Sequence, residues 1–172
     1  CAKAGLPTKA LSWHQAMIEK GLRPNVRTFT ALVNAYAKAG DLCGAWRSMQ
    51  AMEDSGIEGD IVTYTSLLDA CAKNGETDFA LEIFMLMRHR NVKPNIVSYT
   101  SLARALASCG LWHEVEKLSQ HLRQDGLLVN DFFLYALLLA YACAKPKQAA
   151  RAEATFLKAV VAGDIEINKY IL

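Results

Sequence analysis

The chain has 172 residues, a length that suits one or at most two ordinary domains. Hydrophobic residues make up 52% of it and charged residues 21%, so it can bury a core and is not an intrinsically disordered segment. The formal net charge of +2 is too small to indicate nucleic-acid binding, which would have to rest on where the charges stand.

One ten-residue phrase occurs three times at a spacing of 35 residues. It reads RPNVRTFTAL at 23–32, EGDIVTYTSL at 58–67 and KPNIVSYTSL at 93–102. Identical residues recur at the same spacing elsewhere in the sequence: Leu32, Leu67, Leu102 and Leu137; Ala35, Ala70, Ala105 and Ala140; and Gly40, Gly75 and Gly110. A fixed period of roughly 20–50 residues is the signature of a solenoid.

Each period carries the apolar spacing of two helices. In the first helix of one unit, apolar residues stand at i, i+3, i+4 and i+7: Phe29, Leu32, Val33 and Tyr36. A mid-unit glycine ends this helix, because glycine adopts the left-handed conformation at low cost. Second helices are predicted over 76–90 and 111–124, and Gly followed by Pro ends them. No strand pattern competes, so the predicted fold is all-α.

In chain order, the period divides the sequence into five parts. Residues 1–25 are predicted to be the tail of a truncated unit, 26–60, 61–95 and 96–130 to be complete units, and 131–172 to be a divergent one. One helix pair cannot bury its apolar face alone, so the units are expected to stack as about four and a half antiparallel helix pairs without a linker. The sequence starts in mid-pattern with Cys1, and we interpret it as a fragment of a longer protein.

The repeated phrases V-x-T-F/Y-T-x-L, A-x-A-K-x-G and A-L-x-x-F-x-x-M-x-x-x-x-V-K-P-N resemble the pentatricopeptide repeat in its 35-residue form. The resemblance is close over 61–95, extends over 1–130 and is loose over 131–172. The 34-residue period of tetratricopeptide repeats and the T-P-L-H of ankyrin repeats are absent. The resemblance implies a right-handed α-solenoid whose concave face binds single-stranded RNA at about one base per unit. It also implies a role in processing, stability or translation of transcripts in mitochondria or chloroplasts.

The resemblance assigns base recognition to two residues per unit: the polar residue after the aromatic of the first helix, and the unit's last residue. These pairs are Thr30 with Asp60, Thr65 with Asn95, and Thr100 with Asn130, while the truncated unit contributes Asn25. In the family's pairing, Thr with Asp favours G and Thr with Asn favours A. The predicted core tract is therefore (A/C)-G-A-A, read from the RNA 5′ end and followed by an unread base.

The resemblance also assigns base stacking and phosphate contact. Stacking falls on the second residue of each unit: Arg27, Val62, Val97 and Phe132. Arg27 departs from the apolar pattern, although a guanidinium plane can stack on a base. Phosphate contact falls on lysines near the end of the first helix, namely Lys3, Lys38 and Lys73, and Ser108 interrupts this series.

Several residues of the repeat can also be explained by the fold alone, without a contact to RNA. Thr28, Thr63 and Ser98 are predicted to be helix N-caps. As alternatives, Asn25, Asn95 and Asn130 are turn residues, and the lysines are solvated charges that offset the helix dipole. Packing roles are expected for Trp13, Trp46, Trp112, Met17, Met52 and Met87.

The sequence contains no motif that is typical of an enzyme or of a metal site. Five widely spaced cysteines, Cys1, Cys43, Cys71, Cys109 and Cys143, are typical of reduced, buried thiols in an intracellular protein. H-x-x-x-H, H-E-x-x-H and C-x-x-C are absent, so we expect no metal, no cofactor and no catalysis. No targeting peptide is visible, and the longest apolar run, 132–144, is too short for a bilayer and predicts a buried helix.

The last unit departs from the pattern. Tyr135 replaces the threonine, and Lys145 and Pro146 replace the mid-unit glycine. Terminal units commonly diverge because they cap a stack. Alternatively, Phe132, Phe133 and Tyr135 form a protein-binding face, since aromatic residues anchor interfaces. The competing hypothesis for the whole chain is a structural subunit of an organellar ribosome or another large assembly.

Overall fold

The computed structural model describes residues 6–161, which fold into nine α-helices without a strand. The helices are α1 (Pro7–Glu19), α2 (Val26–Lys38), α3 (Leu42–Asp54), α4 (Ile61–Asn74), α5 (Thr77–His89), α6 (Ile96–Ser108), α7 (Trp112–Gln124), α8 (Asp131–Cys143) and α9 (Ala149–Val161). The predicted all-α helical-repeat fold is confirmed. The two second helices predicted in detail correspond to α5 and α7, with ends that differ by at most one residue.

The first helices of the repeats begin at Val26, Ile61, Ile96 and Asp131, 35 residues apart. The residue before each of them has an extended backbone, and its side-chain oxygen accepts a hydrogen bond from the backbone N–H three residues later. The N-caps are thus Asn25, Asp60, Asn95 and Asn130. Each satisfies an N–H group that has no partner within its helix.

The predicted N-cap role of Thr28, Thr63 and Ser98 is therefore wrong. These residues stand at the third helical position and return hydrogen bonds toward the cap. In α2 and α6 they complete a capping box, in which the hydroxyl accepts from the backbone N–H of the cap residue. The alternative interpretation of Asn25, Asn95 and Asn130 as turn residues is also wrong, because all three are N-caps.

The chain divides into two compact units, residues 1–93 and 94–172. In the first unit, α2 packs against α1, α3 and α4, and α4 packs against α3 and α5. Its core includes Val33, Met49, Leu67, Leu68 and Met87, each at most 1% exposed. Apolar burial of this kind is the main favourable term in folding.

In the second unit, α6 packs against α7 and α8, and α8 also contacts α7 and α9. Tyr141 on α8 donates a hydrogen bond to Oε1 of Glu116 at 2.5 Å. Arg151 on α9 lies 3.5 Å from the same oxygen, and its guanidinium lies 4.6 Å from the centre of the Trp112 ring. Burial, together with the hydrogen bond to Glu116, raises the pKa of Tyr141 to about 12. This network joins the divergent helix pair to α7.

The expectation of buried thiols is correct only for Cys71. Cys43, Cys109 and Cys143 are exposed, because they lie at helix ends and not on an inward face. Cys1 lies outside the described residues.

The packing role is wrong for Trp13, which is 71% exposed on α1. Trp46 packs edge-on against Phe79 at a ring separation of 5.2 Å, and Trp112 contacts Tyr141 and Arg151. Met52 is fully buried like Met87, whereas Met17 is half-buried. Among the described residues, the longest helix has 14 residues and none qualifies as a membrane span.

Candidate nucleic-acid interface

Thr30 and Asp60, the predicted base-recognition pair of the first complete repeat, contact each other in the first compact unit. The Thr30 hydroxyl lies 3.4 Å from Oδ1 of Asp60 and 2.8 Å from the hydroxyl of Thr63. Thr63 in turn donates to Oδ1 of Asp60 through its backbone N–H at 2.9 Å and its hydroxyl at 2.8 Å. Three donors thus converge on one carboxylate oxygen at the start of α4.

The convergence on Oδ1 leaves the second carboxylate oxygen of Asp60 available. Oδ2 has no hydrogen bond or ion pair to any residue in 6–161, and Asp60 is partly exposed. A carboxylate oxygen only accepts hydrogen bonds. The N-cap of α4 therefore presents an acceptor at the surface, held in a fixed orientation by its role as a cap.

The asparagine caps have the same geometry with the opposite chemistry. Oδ1 of Asn25 accepts from the Thr28 N–H at 3.1 Å, and Oδ1 of Asn130 accepts from the Phe133 N–H at 2.9 Å. Asn95 likewise accepts from Ser98. Because the oxygen is committed to the helix, the remaining atom is the amide nitrogen, which is a donor. Exchange of Asp for Asn thus inverts the polarity of the available atom and preserves the cap.

The other threonines of the predicted pairs bond within their own helices. The hydroxyl of Thr65 donates to the Ile61 carbonyl at 2.6 Å, and that of Thr100 donates to the Ile96 carbonyl at 2.7 Å. Thr100 and Asn130 make no direct hydrogen bond, although both lie in the second compact unit. Phe133 occupies the third position of α8, so α8 lacks the bridging hydroxyl that Thr63 supplies in α4. Thr65 and Asn95 fall in different compact units, so their pairing stays a prediction.

The predicted stacking residues are exposed in every repeat. Val62 is 49% exposed, Val97 52% and Phe132 68%, and Arg27 is also exposed. A single exposed apolar side chain needs no explanation. Here the exposed residue occupies the second position of each first helix, two residues after the cap, so it recurs beside the available cap atom.

The predicted phosphate-binding lysines differ in their surroundings. Lys38 ends α2, is exposed and has no ion pair within the described part of the chain. Lys73 lies 2.6 Å from Asp69, one turn earlier on α4. Lys3 lies outside the described residues. At the interrupted position, the Ser108 hydroxyl donates to the Ala105 carbonyl and offers no charge.

Two features of the site were not predicted from the sequence. One is the bridging role of Thr63, for which the signal is a hydroxyl residue three positions after each cap except in the last unit. The other corrects the proposed aromatic face of the divergent repeat. Phe133 is fully buried, so only Phe132 and Tyr135, which is 50% exposed, remain at the surface.

Three related family models match consecutive parts of the chain. A pentatricopeptide repeat domain matches residues 47–108, one PPR repeat model matches 20–53, and another matches 1–22 and 97–127. The chain belongs to the pentatricopeptide repeat family. No curated protein sequence matches it. Among the described residues of this pentatricopeptide repeat chain, no group of three His, Cys, Asp or Glu side chains is placed to hold a metal ion.

Solved pentatricopeptide repeat structures share the fold. The structure of PPR10 from maize is 24% identical, with a TM-score of 0.76, over 90% of this chain and 22% of that one. PPR10 in complex with an 18-nt psaJ RNA element is 23% identical, with a TM-score of 0.77, over 94% and 23%. The PPR domain of Arabidopsis thaliana protein-only RNase P 1 in complex with tRNA is 15% identical, with a TM-score of 0.79, over 99% and 89%. The chain thus spans about a fifth of the length of PPR10.

Proposed function

We propose that this pentatricopeptide repeat chain binds single-stranded RNA selectively, with one base per repeat and the core tract 5′-(A/C)-G-A-A-3′. The observation that carries the proposal is the geometry of the caps. Each cap commits one side-chain oxygen to its helix and leaves a second atom at the surface, which is an acceptor in Asp60 and a donor in Asn25, Asn95 and Asn130.

The polarity of the available atom matches the edges of the bases. Guanine offers N–H donors on its Watson–Crick edge, which the free oxygen of Asp60 can accept. Adenine and cytosine offer a ring nitrogen acceptor there, to which an asparagine amide can donate. The threonine of each pair adds a hydroxyl that supplies further discrimination. The Thr30 hydroxyl already contacts the Asp60 carboxylate.

Stacking and phosphate contact complete the binding mode. Val62, Val97 and Phe132 present exposed apolar surface to base faces, and Arg27 presents a planar cation. Lys38 and Lys73 contact phosphates, so that affinity falls with salt.

Relatives support RNA as the partner class. PPR10 was crystallised with an RNA element, and the PPR domain of protein-only RNase P 1 was crystallised with tRNA. We further propose that the chain acts without catalysis, on mitochondrial or chloroplast transcripts, where it masks or stabilises an RNA site or recruits other factors. The sequence lacks the H-x-E and C-x-x-C motifs of the deaminase domains that some family members carry.

The test compares two oligoribonucleotides with the 172-residue chain by fluorescence anisotropy. One contains the tract A-G-A-A, and the other has G and A exchanged to give G-A-G-G. We expect the first to bind at least about tenfold more tightly, which corresponds to about 1.4 kcal/mol. Equal binding of the two would overturn the base assignment, and no binding of either would favour the structural-subunit hypothesis.

A further inference from the structure

The divergent repeat carries two exposed aromatic rings on one face of α8. Phe132 is 68% exposed and Tyr135 is 50% exposed. Residues three apart on a helix are neighbours on its surface, so the two rings lie side by side. The inward face of the helix is already filled by Phe133, Leu134 and Leu137, which are at most 7% exposed. The two rings therefore do not form part of the core of the second compact unit.

The two rings occupy the positions to which base contact is assigned in the other repeats under the proposed function. Phe132 takes the place of Val97, and Tyr135 takes the place of Thr100. Tyr135 substitutes a broad ring for a short hydroxyl. A ring surface binds any base, because every base has a π-face, and such stacking is tolerant of sequence.

The loop between α8 and α9 supplies positive charge where the lysine series fails. Ser108 and Cys143 stand at the positions of Lys38 and Lys73, but Lys145 and Lys147 follow and are exposed. Neither has an ion pair to any residue in 6–161. The loop is held in place because the backbone N–H of Gln148 donates to the Tyr141 carbonyl at 3.1 Å.

Gly110 shows where this loop lies. Its φ is +69°, and a methyl group added to it would stand 2.7 Å from the carbonyl oxygen of Cys143. The loop thus begins against the C-terminal end of α6, two residues from Ser108. Lys145 and Lys147 thus follow closely after the end of α8, as Lys38 is the last residue of α2 and Lys73 the next to last of α4.

We propose that the α8–α9 repeat is a base-indifferent RNA anchor, in which Phe132 and Tyr135 stack on one base of any identity and Lys145 and Lys147 contact phosphates of the same strand. The inference rests on the proposed RNA-binding function. The helix is about 20 Å long at 1.5 Å per residue, so the rings and the lysines contact different parts of the strand. The anchor adds affinity downstream of the core tract without adding selectivity.

The stacking is tested with the 172-residue chain and the RNA A-G-A-A-N, in which N is each of the four bases or an abasic site. We expect the four bases to bind equally within about twofold and the abasic RNA to bind about tenfold more weakly, as the loss of one stacked base predicts. The variant Phe132→Ala/Tyr135→Ala should bind intact and abasic RNA alike. Leu157→Ala, also an exposed apolar residue of this unit, is the matched control and should behave as wild type.

The lysines are tested by the salt dependence of the affinity for an RNA that continues past N, so that phosphates are present for both lysines to contact. Lys145→Ala/Lys147→Ala should reduce the slope of log K against log salt by about 1.4, at about 0.7 for each lost phosphate contact. Lys158→Ala, exposed on α9, should leave the slope unchanged.

The outcomes separate this inference from the proposed function. If wild type prefers A-G-A-A but binds intact and abasic RNA equally, the anchor is wrong and the function stands. A strong preference for one base at N would overturn base indifference. An unchanged salt slope in the lysine variant would overturn the phosphate contacts. If A-G-A-A is not preferred at all, the proposed base recognition itself fails.

Discussion

The Thr30 hydroxyl lies 3.4 Å from Oδ1 of Asp60, although 30 residues separate the two in the sequence. The same oxygen accepts the hydrogen bonds that cap α4. The proposed base recognition and the initiation of α4 therefore depend on one side chain in this repeat. A substitution that removes Oδ1 should therefore lower stability, whereas one that replaces only Oδ2 should change the proposed selectivity.

Asp60→Ala should destabilise the chain by about 1 kcal/mol, because it removes an N-cap. It also leaves the backbone N–H of the fully buried Thr63 without its acceptor, which adds to the cost. Asp60→Asn keeps an oxygen at the cap and should cost less than about 0.5 kcal/mol. Urea unfolding measures both variants. Equal losses for Ala and Asn would show that the oxygen retained by Asn contributes nothing as a cap.

Lys38→Ala should weaken RNA binding more than Lys73→Ala does. Lys73 is paired with Asp69 at 2.6 Å and must share its charge, whereas Lys38 has no such partner in the described part of the chain. Loss of one phosphate contact should lower the salt slope by about 0.7 without changing base preference. Affinity measured at several salt concentrations checks this. The ranking is wrong if the two variants have the same slope.

Cys71 should resist alkylation in the folded chain. Burial raises the pKa of its thiol to about 12, and the thiolate is the reactive form. At pH 8 roughly one thiol in ten thousand is ionised at such a pKa. Iodoacetamide followed by peptide mass spectrometry should find the exposed Cys43 and Cys143 modified, with Cys71 modified only in denaturant. Comparable labelling of Cys71 and Cys43 without denaturant would contradict its burial.

Much of the fold follows from the sequence, because its causes are local. The apolar period sets the helices, and the glycines end them. Asn91, with φ of 58°, even takes the left-handed position that Gly56 and Gly126 occupy in other repeats.

Two features could not be predicted from the sequence. One is which side of a helix faces the core, and the other is which residue caps the helix. Phe132 and Phe133 are adjacent, yet one is 68% exposed and the other fully buried, because the docking of α8 fixes which side faces inward. The cap is a similar case. Both Asn25 and Thr28 are good N-cap residues, and the extended backbone of Asn25, with ψ of 177°, decides between them.

Gly110→Ala should be more destabilising than Gly126→Ala. Both glycines have a positive φ, at which an added side chain costs about 1 kcal/mol. Only at position 110 would the new methyl group also meet backbone, 2.7 Å from the Cys143 carbonyl oxygen, whereas nothing lies within 4 Å at position 126. Thermal unfolding of the two variants makes the comparison. Equal melting temperatures would contradict the close approach of α6 and the α8–α9 loop.

Asp60→Asn shows whether the available atom of each cap selects the base, because it exchanges that atom and keeps the cap. Wild type and variant are titrated with A-G-A-A and A-A-A-A by fluorescence anisotropy, and urea unfolding confirms that both are folded. Wild type should prefer A-G-A-A and the variant A-A-A-A, each by about tenfold, since an acceptor has been replaced by a donor. Base selection by the cap atom is ruled out if the folded variant keeps the preference for G, or if neither protein distinguishes the two RNAs.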